Sequence, residues 1–100
     1  MGIDAELRTQ SGAVLESVAD SENVLSRAQG LLPGTRLLCY LVPWGDATFN
    51  QAQASDLSND ILEVCSRNEG SAVAEHLRKI SPLVEGLSKE THQYIWFVGD

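Results

Sequence analysis

In the first third of the chain Ile3, Leu7, Val14, Val18, Leu25 and Leu32 form a series in steps of four and seven. Those steps keep one stripe of a helix facing a core. Ala5, Ala13, Ala19 and Ala28 add helix propensity, whereas Gly12 weakens it and Ser21 marks an internal break. The spacing predicts one long helix or two shorter ones, stopped by Gly30 and then Pro33-Gly34.

The pattern then changes to RLLCYLV, residues 36–42, where Leu37, Cys39 and Leu41 alternate with Leu38, Tyr40 and Val42. Both sets are apolar, which predicts a central strand covered on both faces. Pro43, Trp44, Gly45 and Asp46 provide a reversal, after which ATFN at 47–50 returns as a short second strand. From Gln51 the stripe Ala54, Leu57, Ile61, Val64 and Cys65 predicts an amphipathic helix, capped by Asn50 or Ser55 and ended by Asn68 and Gly70. Val73, Leu77, Ile80, Val84 and Leu87 predict a second helix, either kinked at Pro82 or restarted there with Ser81 as its cap. The closing HQYIWFVGD, residues 92–100, has the aromatic and β-branched content of a strand, with Ile95 and Phe97 toward the core and Tyr94 and Trp96 on the other side. The expected fold is α+β: a small two- or three-stranded sheet with helices packed on it, in the order α-β-(β)-α-α-β.

One hundred residues, 43% of them hydrophobic, suit a single globular domain. No run approaches the roughly 18 apolar residues of a membrane helix, and MGIDAELRTQ has neither the basic start nor the apolar core of a signal peptide. A cytoplasmic protein that does not enter a membrane is the expectation. The two cysteines, Cys39 and Cys65, sit in apolar runs and are expected to be buried free thiols.

Charge narrows the class of partner. Fourteen acids against seven bases give a net charge of −7. Residues 1–35 carry five acids and two bases, and residues 46–70 five acids and one base. Such a surface repels a phosphate backbone, so no nucleic-acid partner is expected, with Arg78 and Lys79 the one local basic pair. An acidic face gives solubility, or it attracts a basic protein.

Specific chemistry is sparse. The chain contains no glycine-rich phosphate loop, GxSxG elbow, HExxH or paired CxxC, so neither a catalytic motif nor a metal or cofactor is expected. His76 falls on the polar face of its predicted helix, and His92 is expected to cap the last strand or to be partly buried. Trp44 and Asp46 lie in a loop whose composition serves equally as a turn and as a contact surface. Tyr94 and Trp96 are expected to be joined by Tyr40 in an aromatic cluster of the kind found at interface cores, unless the N-terminal helix covers them. The leading expectation is a non-catalytic protein-interaction module, such as an inhibitor or immunity-type protein binding a basic partner, or a self-associating subunit in the form of a homodimer. The competing class is a small hydrolase or transferase using Cys39, Asp46, His92 and the terminal Asp100, which requires those groups to converge in one pocket.

Overall fold

A computed structural model describes residues 2–99 of the chain; Asp100 lies outside the described residues. The N-terminal segment is not a helix. It forms a β-hairpin of β1 (Ile3–Thr9) and β2 (Val14–Val18), paired antiparallel with Ala5 opposite Val18 and Leu7 opposite Glu16. A step of four is even, so it satisfies strand alternation as well as a helical stripe. The residues between decide the outcome: Ile3, Ala5 and Leu7 are buried while Asp4, Glu6 and Arg8 face the other way. Gly12, at φ 96°, makes the turn that a helix would not tolerate. The step of seven from Leu7 to Val14 spans that turn, and the one from Val18 to Leu25 spans the link between β2 and the following helical turn. After the hairpin come a single helical turn, α1 (Val24–Arg27), and a 3₁₀ turn at Gln29–Leu31.

Residues 36–42 also depart from expectation, being an irregular connector with a 3₁₀ turn at Leu38–Tyr40. The cause is Asp60, a helix residue only 2% exposed. Its carboxylate accepts the backbone N–H of Arg36 at 3.0 Å, Leu37 at 2.7 Å and Leu38 at 3.2 Å. Three successive donors turned toward one anion cannot also join a sheet ladder. Leu38 and Leu41, three apart, are buried in the core, which is the spacing of a turn and not of a strand. Tyr40 therefore lies outside the sheet, and Cys39 is exposed, contrary to its expected burial. Cys65 is buried as expected, and burial pushes its thiol pKa up.

The second half follows its sequence pattern. β3 (Asp46–Asn50) leads into a 3₁₀ turn with an Asn50–Gln53 capping box, then α2 (Ala54–Arg67), which Asn68 closes. Ser71 caps α3 (Ala72–Lys89) by accepting the Ala74 N–H, and the helix runs through Pro82 unbroken. Burial of Val73, Leu77, Ile80, Val84 and Leu87 outweighs the one backbone donor that proline lacks. β4 (Gln93–Gly99) ends the described chain. His92 is exposed in the turn before it, at φ 65°.

The fold is thus α+β, but the sheet has four strands, all antiparallel, in the order β2-β1-β4-β3, and the element order is β-β-β-α-α-β. β1 and β4, the two longest strands, occupy its centre. Ile3, Ala5, Leu7, Phe49, Ile95 and Phe97 face the helices, with Phe49 and Phe97 in edge-to-face contact at 6.0 Å between centroids. Gly99 lets the turn before β3 cross β4 closely: its N–H bonds the Gly45 carbonyl at 3.0 Å, and a Cβ there would lie 2.5 Å from that oxygen. Among the described residues no helix is long and apolar enough to cross a membrane.

Removing the Asp60 carboxylate leaves three donors without an acceptor. Asp60→Ala is expected to lower the unfolding free energy by about 3 kcal/mol in denaturant titration. Asp56→Ala, which removes an exposed partner 3.7 Å from Arg36, is expected to change it little.

Candidate functional site: the open face of the sheet

Strand alternation that buries Ile95 and Phe97 turns Tyr94 and Trp96 to the opposite face of β4. Antiparallel register then sets their neighbours. Trp96 stands between Glu6 of β1 and Thr48 of β3, and Tyr94 between Arg8 and Asn50. Val98 stands between Asp4 and Asp46, while Ser17 and Val14 of β2 extend the first two rows beyond Glu6 and Arg8. No helix among the described residues covers this face.

Its centre is preorganised by one cation. The Arg8 guanidinium lies over the Trp96 ring, 4.5 Å from the centroid, and its Nε donates to Glu6 Oε1 at 2.8 Å. Its Nη2 donates to the same oxygen. Held between an anion and an aromatic face, Arg8 fixes the indole and leaves it partly exposed. Beside it Trp96 and Tyr94 border a depression of about 280 Å³, completed by Thr48 and the hairpin residues Thr9, Gln10 and Gly12. Among the described residues Asp4, Glu6 and Asp46 put three carboxylates on the face against the single cation Arg8, so its excess charge is negative. The Asp4 carboxylate also accepts the Asp20 N–H at 2.7 Å, and that of Asp46 accepts the Gly99 N–H at 3.2 Å.

The remaining candidates are distributed around this face. Tyr40, 66% exposed, belongs to the connector held by Asp60 and does not join Tyr94 and Trp96. Trp44 is 74% exposed in the turn entering β3, two residues before Asp46. Asp46 pairs with Val98 at one end of β4, whereas His92 precedes its other end. Six strand residues separate the two by roughly 20 Å, and Cys39 is in neither strand. Asp46 and His92 are not brought into one pocket. Among the described residues no three His, Cys, Asp or Glu side chains form a metal-binding group.

Arg8 and Glu6 are not among the residues the helical spacing predicts for a site. The alternation of Ile3, Ala5 and Leu7 with Asp4, Glu6 and Arg8 carries the signal for them. His76, expected on a polar helix face, is instead buried, three residues after Val73 and four before Ile80. Compared with protein-family models, curated proteins and solved structures, the chain has no significant match.

With Trp44→Phe as background, Trp96 is the sole indole. Adding Arg8→Ala is expected to increase its quenching by acrylamide while far-ultraviolet circular dichroism stays unchanged. An unchanged quenching constant would show that Arg8 does not shield the ring.

Proposed function

We propose that this chain is a non-catalytic protein-interaction module of the cytoplasm that docks a basic protein on the open face of its sheet. The observation that carries the reading is Trp96: a large aromatic held in place by Arg8, partly exposed at the centre of a helix-free sheet face whose next row, with Asp4 and Asp46 on either side of Val98, carries the excess negative charge. Tryptophan supplies large contact area at small entropic cost, and a preordered ring loses less freedom on binding. The carboxylates set the sign of the partner, because opposite charge speeds encounter and excludes acidic surfaces. Trp44 and Asp46, leading into the outer strand, extend the contact, while Tyr40 belongs to a separate surface.

The same charge argues against a second copy as the principal partner, since two chains of net charge −7 repel one another at low salt. An inhibitor or immunity-type role, in which an acidic module neutralises a basic protein, matches this chemistry.

Tagged chain exposed to lysate of its source cell should retain a basic protein, to be identified by mass spectrometry and purified for titration against the chain. Binding is expected to weaken at least tenfold in Trp96→Ala and to weaken further as salt rises from about 50 to 500 mM. A Trp96→Ala variant that keeps its fold and binds the purified protein equally well would overturn the reading. A salt-insensitive dimer abolished by Trp96→Ala would reassign the face to self-association.

A further inference from the structure

The inward stripe of α3 carries one ionisable ring. His76 is 7% exposed, and among the described residues its Nε2 has no hydrogen-bond partner. That nitrogen stands 3.9 Å from Asp20 Oδ1, beyond hydrogen-bond reach. The Asp20 carboxylate is engaged elsewhere: Oδ1 accepts the Val24 N–H at 2.6 Å, and Oδ2 accepts those of Leu25 and Ile3, each at 3.0 Å. Asp20 therefore ties the start of α1 to the start of β1. Four charged groups surround the ring: Asp20 and Glu22 from the link between β2 and α1, Asp4 from β1, and Lys79 from α3 itself. A cavity of about 150 Å³, bordered also by Ala19, Ser21 and Val24, gives the ring and the link room to rearrange.

We propose that His76 and Asp20 form an acid-sensitive latch, in which a proton on His76 draws Asp20 from the Val24 and Leu25 N–H groups and releases residues 24–31 from α3. Burial holds the His76 pKa below its usual range. Asp20 pulls it upward, Lys79 adds to the lowering, and Asp4 again opposes it. Opening relieves the burial while Asp20 stays at the ring, so the His76 pKa returns at least to its ordinary value of about 6.5. The open form therefore binds a proton first as pH falls. Opening grows more favourable from that pH down to the lowered pKa, by up to about tenfold per pH unit, and levels off below it. The released segment carries Val24, Ala28 and Leu31, which with Val73 line a groove of about 290 Å³. Acid thereby exposes an apolar seam separate from the Trp96 face.

The His76 ring can be titrated by NMR while amide exchange is followed from pH 7.5 to 5.0 and corrected for intrinsic rates. His76 is expected to titrate below the ordinary imidazole value of about 6.5. Val24 and Leu25 should lose protection by up to about tenfold per pH unit below about 6.5 while Leu77 and Ile95 keep theirs. In His76→Gln this dependence should vanish. The latch is overturned if His76 titrates above about 6.5, if His76→Gln retains the same pH dependence, or if Val24 and Leu77 lose protection together. Should His76→Gln not fold, the wild-type titration and the contrast between Val24 and Leu77 decide the matter.

Discussion

A buried carboxylate that gathers backbone N–H groups is the interaction on which the rest of this structure depends, and it occurs twice. Asp60, on α2, collects the amides of Arg36, Leu37 and Leu38; Asp20, after β2, collects those of Ile3, Val24 and Leu25. Both residues are 2% exposed. A carboxylate buried so deeply persists only when its oxygens are well supplied with donors, and the donors need it equally. Each aspartate thus fixes a stretch of chain that has no regular secondary structure to satisfy its own backbone.

The positions of these clasps determine which face of the sheet is bare. One pulls the connector of residues 36–41 against α2, where Leu38 and Leu41 join the core. The other pulls α1 against α3, where Leu25 does the same. With both irregular segments drawn to the helical side, Tyr94, Trp96 and Arg8 are left uncovered. Arg8 answers locally by stacking on Trp96 and pairing with Glu6. A part-exposed, preordered indole in an acidic setting is then a consequence of packing on the opposite side, and it is the surface best suited to a basic partner.

Legibility in the sequence divides at these clasps. The stripes of α2 and α3, the return strand β3 and the inward set Ile95 and Phe97 were all legible, because a single periodicity fits each. The hairpin was obscured because steps of four suit both a helix and a strand, and the alternating acids and Arg8 between them were the better guide. RLLCYLV reads as a buried strand by composition, yet its fate is set by Asp60, more than 20 residues away. Local pattern carries no record of such a contact. The same contact bears on the site: alternation along β4 gives the face of Tyr94 and Trp96, whereas Tyr40 belongs to an expected strand that does not form and Arg8 to a strand whose spacing also suits a helix. His76 had a local signal, since it stands three after Val73 and four before Ile80, but a polar ring within a stripe is easily counted as its border.

The claim that buried carboxylates direct the connectors is tested most directly by amide hydrogen exchange at Arg36, Leu37 and Leu38. These three amides lead into the turn in which Tyr40 is exposed, and their acceptor is the Asp60 carboxylate. The account predicts slow exchange at neutral pH, with Leu37, the shortest of the three bonds, protected to a degree comparable with the strand amides of β4. Exchange at the rate of an unstructured loop would contradict it, because Asp60 would then not be holding the segment that leaves the aromatic face of the sheet open.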